Sequence, residues 1–150
     1  MKTILIASDH AGFGLKEKIK LYLQKTGFKV NDLGTYSEER CDYPEFAARL
    51  AKLIPRQKNS RGILICGSGI GVAIVANRFK GVRAAVCHNI QAAEFSRRHN
   101  DSNVLALGAR IAGLELQKKI LKIWLNTKFE GGRHRRRLNL LKRIEEEITK

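Results

Sequence analysis

Apolar residues in this chain fall into short runs separated by stretches of helical period. Ile4–Ala7, Phe28–Leu33, Gly62–Cys66, Val82–Cys87 and Val104–Leu107 are apolar-rich segments of strand length. Runs with little polar interruption suit strands buried on both faces. Leu15, Ile19, Tyr22 and Leu23 share one helical face, with Gly27 placed to stop that helix. Asp42-Tyr43-Pro44 opens a second helix, with Asp42 or Tyr43 near its cap and Pro44 in the first turn. Phe46, Leu50 and Leu53 form its inner face. Val72–Phe79, Ala92–Arg98 and Leu114–Trp124 predict three more helices.

This alternation predicts an α/β fold with a doubly wound, mainly parallel sheet, Rossmann-like in three layers. Ligands of such sheets sit at the carboxyl ends of the strands. Asp9-His10, Cys66–Gly71, His88 and Gly108–Arg110 all fall there. No repeat, linker or low-complexity segment interrupts the pattern, so residues 1–150 read as a single domain. After Trp124 the stretch Glu130-Gly131-Gly132-Arg133-His134-Arg135-Arg136-Arg137 leads into a last helix, with Leu138, Leu141, Ile144 and Ile148 at helical spacing. That helix either packs back on its own domain or docks on a neighbour. A charged helix added after a complete α/β unit favours association, so a homo-oligomer is expected.

Composition narrows the field. With 150 residues, 43% of them hydrophobic, the chain can bury a substantial core. No segment is apolar for long enough to span a bilayer, and Lys2 places charge too early for a secretory signal. Cys41, Cys66 and Cys87 are odd in number, far apart and without a C-x-x-C pair. That argues against a disulfide framework or a zinc cluster and for reduced thiols in the cytoplasm. The net charge of +15 reads either as a solvated basic surface, with Lys16, Lys18 and Lys20 on outer helix faces, or as attraction to anionic partners. Aromatics are only 7% and do not interleave with basic residues, which ranks phosphorylated small molecules ahead of nucleic acid.

The run Ile63-Leu64-Ile65-Cys66-Gly67-Ser68-Gly69-Ile70-Gly71 carries the strongest chemical signal. A buried strand ends at a thiol, and alternating glycines then enter a helix. Backbone N–H groups gather at such a turn and can hold a phosphate or a developing oxyanion. The positive end of the helix dipole favours a thiolate there. A free cysteine is usually buried and inert, and Cys41 and Cys87, which have no such loop, are read as structural.

Other features are weaker singly. Asp9, before Ala11-Gly12, is either a helix cap worth roughly 1 kcal/mol or, with His10, a ligand for a hydroxylated, charged substrate. Gly12-Phe13-Gly14, with Asp32 ending the second strand, matches part of a dinucleotide fingerprint, but Glu17 fills the third glycine position. Nucleotide binding is therefore kept as an alternative. Arg133 and Arg137 lie i, i+4 at the start of the last helix, as a solvated face or a phosphate clamp.

Taken together, Ser8-Asp9-His10-Ala11-Gly12, Gly34-Thr35-Tyr36-Ser37, Asp42-Tyr43-Pro44, the Cys66 loop, Ala76-Asn77, Arg98-His99-Asn100-Asp101 and Glu130-Gly131-Gly132-Arg133-His134 closely resemble the ribose-5-phosphate isomerase B family over nearly the whole chain. The resemblance implies interconversion of ribose 5-phosphate and ribulose 5-phosphate without metal or cofactor. It implies that Cys66 is the base moving a proton between C2 and C1, and that His99 assists opening of the furanose ring. Another branch of the family places a glutamate base after the last loop glycine, where this chain has Val72.

By the same resemblance, Arg133, Arg137 and His10 hold the phosphate. Asp9, Tyr43, Asn100 and Arg110 contact sugar hydroxyls or orient the site. The amides of Gly67, Ser68, Gly69, Ile70 and Gly71 and the Ser68 hydroxyl steady the enediolate. His99, Asn100 and Arg110 are expected to reach in from a neighbouring subunit, which makes a homodimer or homotetramer with shared sites the implied active form. Two alternatives are an isomerase of a six-carbon aldose phosphate, such as allose or galactose 6-phosphate, and a nucleotide- or RNA-binding module using the basic face.

Overall fold

A computed structural model describes residues 2–150. Five strands, β1 (Thr3–Ser8), β2 (Lys29–Asp32), β3 (Arg61–Cys66), β4 (Ala84–Val86) and β5 (Val104–Gly108), form one all-parallel sheet in the order β2-β1-β3-β5-β4. Helices α1 (Phe13–Lys25), α2 (Tyr43–Leu53), α3 (Ile70–Ala76), α4 (Ile90–Arg98) and α5 (Leu114–Asn126) cover its two faces, and α6 (Arg133–Ile148) follows.

The two-residue period of the strands divides the core. Ile4, Ile6, Ile63, Ile65, Leu105 and Leu107 meet Ile19, Leu23, Ile120, Leu121 and Trp124 from α1 and α5. Leu5, Ala7, Leu64, Cys66, Val104 and Ala106 point the other way, onto Phe46, Leu50, Val72 and Ala73 of α2 and α3. The second face carries the smaller side chains, so α2 and α3 can lie close to the sheet. This is the doubly wound, three-layer arrangement expected, with every strand parallel.

Element ends differ from expectation where side chains take over backbone partners. The strand expected over 82–87 shortens to β4 because Val82 N–H bonds Phe79 O and Arg83 N–H bonds Asn103 Oδ1. The helix expected over 72–79 begins earlier, at Ile70, after Gly69 in the left-handed region. It ends at Ala76 because the Asn77 side chain pairs with the backbone of Ala84, donating at 3.0 Å and accepting at 2.8 Å. Gly27, at φ +91°, ends α1 as expected.

Helix α6 packs back only in part. Gly81 N–H donates to Glu145 Oε1 at 2.9 Å, and His134 is its one buried residue. Leu140, Leu141, Ile144 and Ile148 stay exposed, Ile148 at 77%. Among the described residues no helix is long and apolar enough to cross a membrane.

Candidate active site

The sheet changes winding direction between β1 and β3, since β2 lies on the outer side of β1 and the chain then crosses over to β3. Strands that diverge in this way leave a crevice at their carboxyl ends. Asp9 follows β1 and Cys66 ends β3, so both reach that crevice. Asp9, Tyr43, Cys66, Gly67, Ser68, Ile70, Gly71, Ile74, Arg110 and Ile111 line a cavity of about 630 Å³ there.

The loop after Cys66 is shaped around its thiol. Gly69 N–H donates to Cys66 Sγ at 3.2 Å, a contact that favours negative charge on sulfur. Reaching it requires Gly69 at φ +79°, where a Cβ would sit 2.9 Å from the backbone carbon of Leu107. At Gly71 a Cβ would lie 2.7 Å from the Tyr43 ring, so the missing side chain seats Tyr43 against the loop. Ile70 N–H donates to Ser68 Oγ at 3.2 Å, which leaves the Ser68 hydroxyl proton free to point outward. The Gly67 and Ser68 amides donate to nothing else among the described residues. His88 Nε2 lies 2.9 Å from Ser68 O and braces the loop from the end of β4; sequence reasoning placed His88 at this edge without that task.

Neighbouring residues complete this half. Asp9 is buried and accepts Gly12 N–H at 3.0 Å. It therefore fixes the turn before α1, although the cap position itself is Gly12. His10 Nδ1 sits 3.1 Å from Cys41 O, giving Cys41 a part in orienting that ring. Val72 is fully buried in the core, so no base can project from the position after the last loop glycine.

The remaining predicted residues lie elsewhere. Helix α4 runs from the carboxyl edge back to the amino edge, and His99, Asn100, Arg133 and Arg137 gather where α4 ends and α6 begins. His99 stacks between Phe95 at 5.1 Å and His134 at 4.3 Å. Arg98 Nη2 reaches Glu130 Oε1 at 2.5 Å and ties the end of α4 to the segment before α6. That ion pair holds the Glu130 carboxyl below the usual carboxylate range. Arg110, which the resemblance groups with His99 and Asn100, sits over Gly67 beside the Cys66 of its own chain, its Nη1 3.3 Å from where a Cβ would be. Glu130 and His134 were part of a quoted motif but had no assigned role. Their i, i+4 spacing was the available signal.

The dinucleotide alternative fails on Asp32. Its Oδ2 accepts from Lys16 at 2.5 Å and Lys20 at 2.7 Å, while its Oδ1 accepts Gly34 N–H. Both oxygens are thereby committed to α1 lysines and to the turn at Gly34, not to a ribose.

Comparison with known proteins agrees with this architecture. Residues 4–141 match the family model described as Ribose/Galactose Isomerase. The chain is similar to the ribose-5-phosphate isomerase B of Escherichia coli K12, 47% identical over 146 residues, covering 97% of this chain and 98% of that one. Its fold is similar to the Clostridium thermocellum ribose-5-phosphate isomerase B (TM-score 0.95, 45% identity, 97% and 99% of the two chains). It is likewise similar to the Mycoplasma genitalium enzyme with bound ribulose-5-phosphate (TM-score 0.92, 42% identity, 97% of each chain). With a thiol in a glycine cradle at the sheet switch point and a match over nearly its whole length, this chain belongs to the ribose/galactose isomerase family.

Proposed function

We propose that this protein interconverts ribose 5-phosphate and ribulose 5-phosphate through an enediolate, with Cys66 as base. The observation that carries this reading is the Cys66 thiol, 3.2 Å from Gly69 N–H at a cavity shared with Asp9, Tyr43, Ser68 and Arg110. It is supported by similarity to enzymes named for ribose 5-phosphate, one of them holding ribulose-5-phosphate. Those names favour the five-carbon substrate over the six-carbon alternative, and family membership displaces the nucleic-acid-binding reading.

The chemistry follows from the residues. His99 protonates the ring oxygen while the C1 hydroxyl gives its proton to water, and the bond from C1 to the ring oxygen breaks to leave the aldehyde. The Cys66 thiolate takes the C2 proton, and the C–H electron pair becomes the C1–C2 double bond of an enediolate. The Gly67 and Ser68 amides and the Ser68 hydroxyl hold the charge that develops on oxygen. Cys66 returns its proton to C1 while the C2 hydroxyl proton passes to the C1 oxygen and the C2–O bond becomes the carbonyl, which leaves the ketose. A positioned base contributes ~10²–10⁴-fold, and an oxyanion donor ~10²–10³-fold. Arg133, Arg137 and His10 grip the phosphate, while Asp9, Tyr43, Asn100 and Arg110 meet the sugar hydroxyls.

Because His99, Asn100, Arg133 and Arg137 lie at the opposite sheet edge from Cys66, a complete site takes two copies of the chain. We therefore assign a single-domain, cytoplasmic homo-oligomer, at least a dimer, with the exposed stripe of α6 available for association. The test is ketose formation from ribose 5-phosphate in EDTA, with Cys66→Ala alongside. Turnover by the parent alone supports the reading, and no turnover by the parent overturns it.

A further inference from the structure

His134 is the most unusual polar residue outside the cavity. It is buried at 6% exposure, and its Nε2 has no hydrogen-bond partner among the described residues. The nearest carboxylate oxygen, Glu130 Oε2, stands 3.5 Å away. The ring lies flat against His99, with centroids 4.3 Å apart and planes 14° from parallel. On the far face of His99, Phe95 lies 5.1 Å away at 10°. Three rings thus stack in the order Phe95–His99–His134, with His99 in the middle and only partly buried.

His99, Glu130 and His134 also bring one donor atom each within 4.8 Å of the others. Stacked rings do not suit a chelate, because imidazole lone pairs lie in the ring plane and here run side by side instead of converging on one point. The arrangement does suit a clamp. A lone imidazole at a helix end can swing about its Cβ–Cγ bond, whereas one held between two faces keeps its plane and presents its nitrogens at the rim.

Resting on the isomerase reading above, we propose that His134 is a positioning residue for His99. Its ring fixes the plane of the His99 imidazole and so aims its nitrogens at the furanose oxygen in the shared site. The charges around the stack fit this task. Burial, followed by the charges of His99 and Arg133, holds the His134 imidazole below the usual histidine range against the pull of Glu130, with Arg137 acting in the same direction as Arg133. His134 is therefore mainly neutral at pH 7. Glu130 pairs one carboxylate oxygen with Arg98 at 2.5 Å and holds the other 3.5 Å from His134 Nε2.

The test compares His134→Ala with His134→Phe in the full-length protein, both checked for native circular dichroism. His134→Ala should lower kcat for ribose 5-phosphate by ~10- to 100-fold, the order expected when a catalytic group is misplaced by about 1 Å. KM should change much less, and the limb of the pH–rate profile that His99→Asn removes should move. His134→Phe keeps a flat ring against His99 and should restore most of kcat and the parent profile. Parent values in His134→Ala, or His134→Phe as impaired as His134→Ala, would overturn the proposal.

NMR of the His99 ring protons without substrate reads the stack apart from turnover. Their ring-current shift should disappear in His134→Ala and persist in His134→Phe. An unchanged His99 signal in His134→Ala would overturn the positioning role even in an active enzyme. A parent that shows the shift but no turnover would overturn the isomerase reading instead.

Discussion

Cys66 ends β3 at the carboxyl edge of the sheet, whereas His99 follows α4 at the amino edge. Nine residues of α4, roughly 13 Å of helix, separate the two levels. One chain therefore does not bring both residues to one small sugar, which supports the two-copy site proposed above.

Subunit mixing tests this. Cys66→Ala and His99→Asn should each be nearly inactive, but refolding them together should recover activity. Random pairing makes half the dimers hybrid, each with one intact site of two, so recovery of roughly a quarter of parent activity is expected. Continued silence after mixing would mean that Cys66 and His99 do not share a site.

Arg137 belongs to the amino-edge half, and its expected task is the phosphate. Arg137→Ala should raise KM by roughly 10- to 100-fold, the size of a lost charge-assisted hydrogen bond, with kcat changed far less. Initial rates against ribose 5-phosphate concentration check this, and an unchanged KM would remove Arg137 from the clamp.

Gly69→Ala attacks the thiol's setting without touching the thiol. Holding alanine at φ +79° costs about 1–2 kcal/mol before the approach to Leu107 is counted. We expect a lower denaturation midpoint and a kcat reduced by ~10-fold or more as the N–H leaves sulfur. Wild-type stability would show that the loop adapts more freely than its geometry implies.

Away from the site, Lys16 is fully buried instead of lying on an outer helix face, because its ammonium is drawn in to pair with Asp32 and the more exposed Glu17. Burial pushes the Asp32 carboxyl up, but hydrogen bonds from Lys16, Lys20 and Gly34 N–H outweigh it and leave Asp32 below the usual range. The unfolded chain therefore takes up this proton first as pH falls. Stability from Asp32 is complete above the ordinary carboxylate range near ~4 and is lost as pH drops through its lower folded value. Lys20 is shifted up by its hydrogen bond to Asp32, so its contribution fails only above the ordinary lysine range near ~10.4. Asp32→Asn should cost about 3 kcal/mol at pH 7, by leaving the Lys16 charge poorly paired, and should flatten the acid side of the stability curve. Denaturant titrations between pH 7 and pH 3 measure both effects. A parent curve as flat as that of the variant would be incompatible with this account.

Cys87 lies in the core away from the glycine loop. Burial pushes its thiol up to about 11, against a weak bond to Ser96. Iodoacetamide at pH 8 should leave it unmodified until the protein is unfolded, as peptide mass spectrometry can follow. Rapid native labelling would show that the sheet opens locally near β4.

The periodicity of the chain contained the sheet, the layers and the carboxyl-edge half of the site. Strands such as Ile4–Ala7 and Ile63–Cys66 are apolar on both faces, and a glycine run after a strand has few other uses. The amino-edge half was not legible in the same way. His99, Arg133 and Arg137 entered through family resemblance, because residues on separate helices carry no common period. Arg110 came in with them, although the structure places it at the carboxyl edge, over Gly67. The end of α3 was missed for a similar reason: only the structure reveals that the Asn77 side chain replaces a backbone partner at Ala84.

The limited docking of α6 has a consequence for how this protein fails under heat. The thiol is carried by a central strand, among the last parts of such a fold to open. The phosphate grip rides on a helix held to its own chain near Glu130 and at Glu145, with its apolar stripe otherwise bare. On the two-copy site proposed above, activity should be lost when subunits part or the tail lifts, while the sheet is still intact. The temperature of inactivation should then rise with protein concentration, with sheet melting a later and separate event.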